Sequence, residues 1–574
     1  MAWVTVLFPY MRENMKSIND MKKGRYRILI AVIIALQLMT AFCFCTQKQG
    51  FHYDENYSYY SSNVTSGLVP TDRYWMDTNE IKNEFMVLKG EGFNYGTVKL
   101  MQTFDVHPPL YYFVLHTVCS FTPGVFSKWQ GLSVNLLFFV LALIMLVKIA
   151  DIVSNGDRFV TLATLLLFGF SPAVFSGITF IRMYMMLTFL CFCGLFIHLK
   201  GFDKKNRTIT GFYLPVFLTS YLGFMTHYYY VVFLFFIAAY MCLYLFFKKE
   251  TRKQAFIYGT CVVAALLLEV ITYRACLGHI FKGYRGTEAI GAFFDPANLM
   301  DRASMFIGLL NDYLLCNSFY LLLLILMLLF LTYMMLKKRG YYNKPDKAEE
   351  SLQTETEAAI DSNVTTGKET DDAAINKQRI YMCLMVTLGY FAVVMKTALM
   401  QAEEAIRYEM PVYGTVILLI VIGIVFFTNR LGKKEEKKEK TIACAILFAV
   451  AIVLNLVGLA NNKVQFIYPE AVDAYEWASA RKDKPVVYLY NGDDYWMIWD
   501  NAEELMEYDK IFFIDICNDE LWDDEIIDEA DELIVYAARD DRAEEFLKDI
   551  CYKNGAPAAV KQRELKYADV YVVR

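Results

Sequence analysis

Residues 228–253 read YYYVVFLFFIAAYMCLYLFFKKETRK, an unbroken apolar and aromatic run to Phe247 that ends in Lys248, Lys249, Arg252 and Lys253. A helix of about 20 residues rises about 30 Å, the thickness of a bilayer's hydrocarbon core. A helix packed on a soluble core would keep a polar stripe along one face, and this run has none. Runs of the same kind occupy 131–150, 159–180, 183–199 and 209–226 before it, and 255–275, 317–336, 379–398, 411–428 and 441–459 after it. A further run, Ile28–Thr46, follows Lys22, Lys23, Arg25 and Arg27 and shows no small-residue cleavage site, so it reads as a signal anchor. In lipid a helix satisfies its own backbone hydrogen bonds. The expected fold is therefore an all-α polytopic membrane bundle of about 11 transmembrane helices.

The basic clusters set the orientation, because loops rich in Lys and Arg stay on the cytoplasmic side. Lys200, Lys204, Lys205 and Arg207 form one such loop, and Lys248–Lys253 another. Lys337, Lys338 and Arg339 open a third, and Arg430, Lys433 and Lys434 through Lys440 make a fourth. This assigns 1–27 to a cytoplasmic N-terminal segment and 28–462 to the membrane domain, with a large first external loop at 47–108. The polar stretch 337–377, rich in Glu, Thr and Asp, reads as a disordered cytoplasmic loop. Leu110–Phe126 is apolar but short, and as a full crossing it would place Lys200–Arg207 outside. It reads as a re-entrant or interfacial segment.

From 463 the pattern changes. Pro485–Tyr490, Lys510–Ile514, Glu532–Tyr536 and Asp569–Val573 have strand character, with helical stretches Ala502–Tyr508 and Asp541–Cys551 between them. Strands alternating with helices predict a small C-terminal α/β external domain over 463–574, acidic in balance and without a phosphate-binding glycine loop. The net charge of −6 says little, because the charges are segregated, and no basic patch interleaved with aromatics points to nucleic acid. Most of the 13 cysteines lie in apolar runs as small hydrophobes, and no CxxC pair has metal spacing. Cys517 and Cys551 in the tail are available for a disulfide.

The chemistry-bearing residues fall at helix ends assigned to the outer side. They are Phe51-His52-Tyr53-Asp54-Glu55-Asn56-Tyr57-Ser58, then Asp105-Val106-His107-Pro108-Pro109-Leu110-Tyr111-Tyr112, then Phe180-Ile181-Arg182-Met183-Tyr184. Thr226-His227-Tyr228-Tyr229-Tyr230 and Glu403-Glu404-Ala405-Ile406-Arg407-Tyr408 complete the set. An acidic pair after the first helix, HPPLYY at 107–112, RMY at 182–184 and RY ahead of Pro411 occur in that order. In this the chain resembles the GT-C class of membrane glycosyltransferases, in the branch of protein O-mannosyltransferases and lipid A aminoarabinose transferases. The resemblance covers roughly the first 460 residues. It implies a hexosyl or pentosyl donor on a polyprenyl phosphate, a glycan, lipid or protein acceptor at the cell envelope, a carboxylate base in the first external loop, and inversion.

Residue by residue, Asp54 matches the family's first acidic position and is assigned the base, with Glu55 as its helper or orienter. A hydroxyl acceptor needs a positioned carboxylate to take its proton. The plainer alternative is that the pair solvates a helix end. Pro108 and Pro109 fix the backbone and hold His107 at a cavity rim, unless that turn merely faces solvent. Arg182, with Tyr184, is a partner for the donor phosphate or a carboxylate, or else an interfacial anchor. Relatives often place an acid just before this arginine, where this chain has Phe180 and Ile181, so no metal or other cofactor is expected, although a divalent ion is compatible with the chemistry. His227 resembles a histidine common at this point in the family, while Tyr228, Tyr229 and Tyr230 also suit an ordinary aromatic belt. Arg407 with Tyr408 is assigned the leaving phosphate, since guanidinium pairs bidentately with phosphate oxygens. The alternative is an ion pair with Glu403, Glu404 or Glu409. Lys282 and Arg285 read as ordinary surface charge, or else as cations that steer anionic head groups. The competing functions are a transporter or lipid flippase, and a non-enzymatic envelope assembly protein. The first would bind substrate near mid-bilayer between repeats, and neither feature is visible. The second needs no more than one anchor.

Overall fold

A computed structural model of the protein describes residues 19, 21–64, 69–339, 362–400, 402–431 and 437–574. The chain divides into two compact units. The first holds Met1–Cys43, Leu136–Ile178 and Met183–Gln465, and the second holds Phe44–Asn135, Thr179–Arg182 and Phe466–Arg574.

The principal helices begin with α1 (Lys23–Gln47), α2 (Tyr53–Asn63), α3 (Leu110–Ser120), α4 (Lys128–Val153), α5 (Arg158–Gly169), α6 (Pro172–Thr179) and α7 (Tyr184–Gly201). They continue with α8 (Leu214–Phe224), α9 (Tyr229–Phe247), α10 (Arg252–Thr272), α11 (Phe319–Lys338), α12 (Ser362–Thr397), α13 (Met410–Arg430), α14 (Lys437–Ala460) and α15 (Asp541–Asn554). Among the described residues nine helices are long and apolar enough to cross a membrane. They include α7 and α13, with 72% and 61% of the apolar window buried, whereas α11 buries only 11%. The first two are interior helices of their unit, and the third is largely uncovered by the rest of the chain.

The sequence run 159–180 is broken in the structure: α5 and α6 meet at 52°, and neither alone is long enough to cross a membrane. Pro172 has no N–H to continue the α5 ladder, so the break falls just before it. Ile209–Phe224 forms a shorter apolar helix. Among the described residues the count is thus nine, or ten if the bent pair makes one span. Helix α3, at 11 residues, rises about 16 Å and is too short to cross. Residues 340–361 of the stretch expected to be disordered lie outside the described residues, as do Lys433 and Lys434. From Ser362 the chain is helical, which corrects that expectation for 362–377.

The second unit is built on a six-stranded sheet, β1 (Tyr74–Asp77), β2 (Val486–Tyr490), β3 (Lys510–Asp515), β4 (Leu533–Ala538), β5 (Ala559–Glu564) and β6 (Ala568–Val573), in the order β1-β3-β2-β4-β6-β5. β2 pairs in parallel with β3 and β4, while β1, β6 and β5 add antiparallel. Every residue of β2 is buried, as a central parallel strand requires. Val487, Leu489, Phe512, Ile514, Leu533 and Val535 pack with Ile550 of α15 into one core. Four strands fall where the sequence placed them. β1 was not foreseen: it comes from the first loop and pairs Tyr74 with Phe513 through Asp77 with Lys510. The sheet therefore is not confined to 463–574. Cys517 and Cys551 are both free thiols, the first exposed and the second in the core, so no disulfide joins them.

Candidate active site

Helix α2, YDENYSYYSSN, has little intrinsic helix propensity and is started by its cap. His52 sits in extended geometry at the N-cap, and its Nδ1 accepts the Asp54 N–H at 3.1 Å. Glu55 closes the box by accepting the His52 N–H on Oε2 at 2.6 Å. An accepting Nδ1 leaves the ring proton on Nε2. The 3.7 Å approach of that Nδ1 to the Asp54 carboxylate is then not an ion pair.

Glu55 spends its other capacity on a clamp. Lys48 Nζ donates to Oε2 at 2.9 Å, and the Ile181 N–H donates to Oε1 at 2.6 Å. Both side chains of the Lys48–Glu55 pair are fully buried. Lys48 also donates to the Phe466 carbonyl at 2.7 Å, a residue held at φ 64°, which a bulky side chain adopts only under constraint. A third carboxyl stands near this pair. Burial pushes Glu503 up to about 8, with the Glu55 charge adding to the shift and Lys48 opposing it.

Asp54, beside the clamp, keeps a quarter of its side chain exposed. Its backbone carbonyl accepts from Arg182 Nη1 at 3.0 Å, and the same guanidinium nitrogen reaches Ser58 Oγ and the Tyr112 hydroxyl, each at 3.2 Å. Arg182 is only 5% exposed. It sits inside a polar network within its unit, which disfavours the lipid-anchor alternative. The Tyr112 hydroxyl donates in turn to Asp105 Oδ2 at 3.3 Å. Burial raises the Asp105 carboxyl; the Arg182 charge offsets part of this and the Asp54 charge adds to it. Oriented to satisfy its hydrogen bonds, the buried Gln102 amide donates to Asp105 Oδ2 at 3.3 Å and to the His107 carbonyl at 3.1 Å. His107 is half-buried, and the buried Pro108 and Pro109 lead into α3.

The short segment Thr179–Arg182 is fixed from two sides. Asn135 Nδ2 donates to the Phe180 carbonyl at 2.6 Å. Gly131 makes the other close approach, because a Cβ there would lie 2.1 Å from Ile181 Cγ2.

Within the first unit the structure brings together Tyr184, His227, Arg407 and Tyr408. The Tyr184 ring lies 5.5 Å from His227 and 5.7 Å from Tyr408, and Tyr229 lies 6.2 Å from Tyr408. His227 Nδ1 accepts the Tyr229 N–H at 3.0 Å. Arg407, 2% exposed, donates to the Tyr408 hydroxyl at 3.3 Å and meets Glu404 Oε2 at 3.5 Å. The ion-pair alternative for Arg407 is thus present, and Glu404 is the partner. Arg285 interacts electrostatically with Tyr408.

Sequence reasoning singled out Asp54, Glu55, His107, Arg182, Tyr184, His227, Arg407 and Tyr408. It quoted His52 and Ser58 around the acidic pair without giving either a role, and it missed Lys48 and Glu503. Lys48, a lone cation at the end of an apolar run, was the one visible signal. Among the described residues no three His, Cys, Asp or Glu side chains are grouped to hold a metal ion.

These features define a multi-pass helical membrane protein carrying a mixed α/β sheet, with buried guanidinium networks at helix ends. No protein-family model matches the chain, and no curated protein matches it. Among solved structures it is similar to ArnT from Cupriavidus metallidurans, solved bound to undecaprenyl phosphate, at 10% identity and a TM-score of 0.49. That match covers 95% of this chain and 98% of the other.

Proposed function

We propose that this protein is a GT-C-type membrane glycosyltransferase that moves a sugar from a polyprenyl-phosphate carrier to an acceptor on the outer face of the membrane. The observation that carries the reading is the second unit's network. A partly exposed carboxylate, Asp54, stands in a helix whose backbone and Ser58 are gripped by the buried Arg182. Asp54 removes the acceptor hydroxyl proton as its oxygen bonds to the anomeric carbon. The bond from that carbon to the phosphate oxygen breaks, and the polyprenyl phosphate leaves with the electron pair. One base on the acceptor side is the arrangement of an inverting displacement.

Arg182 is a positioning residue that holds Asp54 and Tyr112. Asp105 accepts a hydrogen bond from the Tyr112 hydroxyl and so turns that oxygen to accept from Arg182. Glu55 positions Asp54 through the cap and the Lys48 clamp. Arg407, Tyr408, Tyr184 and His227 are assigned the donor phosphate on residue chemistry, since guanidinium and phenol groups suit a leaving phosphate. His107 is assigned to the rim.

The test is consumption of a polyprenyl-phosphate monosaccharide by the purified protein. Asp54→Asn is expected to fold normally and lose turnover by at least about 100-fold, the scale of a general base. An Asp54→Asn protein with normal turnover would falsify the mechanism. A chelator added to the same assay is expected to leave the rate unchanged; inhibition reversed by a divalent ion would overturn the metal-independent reading.

A further inference from the structure

Beside Asp54 the second unit carries an aromatic platform that the transfer chemistry does not use. Tyr53, from the first turn of α2, lies 5.9 Å from the Trp496 ring, and Trp496 lies 5.4 Å from Tyr567 in the turn between β5 and β6. Lys566 is exposed, with its ammonium 4.8 Å from the Tyr53 ring centre and 5.0 Å from that of Tyr567. The Trp496 indole N–H donates to Asp494 Oδ1 at 3.2 Å. All three rings are only half-buried, whereas Trp499, three residues on, is wholly buried in the core of the unit. Rings that serve only to fill a core follow the second pattern. Here three segments far apart in sequence bring half-open rings to the residue next to the proposed base.

We infer that Tyr53, Trp496, Tyr567 and Lys566 form the acceptor subsite, and that the acceptor is a saccharide. This rests on the transferase reading and names its acceptor class. One face of a pyranose ring is a patch of C–H groups, which packs on the electron-rich face of an indole or phenol. Its rim of hydroxyls needs donors and acceptors together, and the Lys566 ammonium and the Asp494 carboxylate supply one of each. A lipid acceptor would want a continuous apolar groove, without a lysine and an aspartate at its edge. Tyr53 and Asp54 share the first turn of α2, so a sugar held on these rings lies at the helix end that carries the proposed base.

The experiment uses the full chain in lipid nanodiscs with two probes, cellohexaose and a galacturonate hexamer, and measures binding by saturation-transfer NMR. At least one probe should bind. Trp496→Ala and Tyr567→Ala should each weaken that binding about tenfold, while Trp496→Tyr restores most of it. Affinity for a polyprenyl phosphate, measured on the same samples, stays at the wild-type value and shows that the variants are folded. Failure of both probes to bind, or equal affinity in wild type, Trp496→Ala and Tyr567→Ala, overturns the subsite. Asp54-dependent turnover together with Trp496-independent saccharide binding overturns the platform alone. Trp496-dependent binding without any donor consumption overturns the transferase reading and leaves the platform standing.

Discussion

A guanidinium withdrawn from water needs acceptors at its fork, and Arg182 finds the Asp54 carbonyl, Ser58 and Tyr112 on a single nitrogen. Lysine carries the same charge on a stem one bond shorter, so its ammonium falls short of the position that Nη1 holds among these three groups. Losing one such charge-assisted bond costs about 1.5–3 kcal/mol, which is about 10- to 100-fold in rate when the loss falls on the transition state. Arg182→Lys is accordingly expected to lower kcat about 10- to 100-fold, with the protein still folded and KM for the donor little changed. Stopped-time assays of purified Arg182→Lys check it, and a KM effect with unchanged kcat would mean that Arg182 binds substrate rather than positioning Asp54. Asp54, His107 and Arg182 were visible in the sequence as polar residues at the ends of apolar runs. The contact between Asp54 and Arg182 was not, because the two are separated by 128 positions. Local pattern carries no record of such a pairing.

At the scale of elements, legibility followed how far each element depends on its own residues. Long apolar helices such as α9 and α13 declare themselves, since length and hydropathy alone decide them. The α5–α6 bend was hidden, because a proline inside an apolar run reads equally as a kink or as a tolerated residue. Strands β2, β3, β4 and β6 were readable as apolar segments. β5, AVKQRE, was not, since it lies at the sheet edge largely exposed and shows no apolar alternation. β1 is four residues long and acquires strand geometry only by pairing with β3. The junction of α1 and α2 depends on a clamp of the same non-local kind. Glu55 is fully buried and receives Lys48, the His52 N–H and the Ile181 N–H. Removing one partner of a buried ion pair costs about 3–5 kcal/mol, because the other charge is left uncompensated. Lys48→Met should therefore lower expression and thermal stability sharply. Lys48→Met with Glu55→Gln should recover much of that loss, since no buried charge remains. Thermal melts of the wild type, Lys48→Met, Glu55→Gln and the double variant test the coupling, and additive losses would mean that the pair contributes nothing jointly.

For the molecule as a whole, the last hundred residues complete a unit that begins at Phe44. The first loop depends on them at several points. β1 pairs with β3, Asn56 donates to the Trp499 carbonyl at 2.9 Å, and Arg73 donates to the carbonyls of Asn518 and Glu520 at 2.8 and 2.9 Å. Lys48 also needs the Phe466 carbonyl. Among the described residues the nine long apolar helices all end by Ala460, so the residues beyond it supply none of them. Ending the chain at Gln465 should give a protein that still inserts but whose 44–135 segment has lost its sheet partner, its braces and one acceptor of the clamp. Limited proteolysis should then cut within 44–135 at a concentration of protease that leaves the full chain intact. Turnover of a polyprenyl-phosphate sugar should fall at least as far as in Asp54→Asn, because the helix bearing the base is no longer held. A truncated protein that resists protease in that segment and works at the full-length rate would show that the sheet is dispensable to the site.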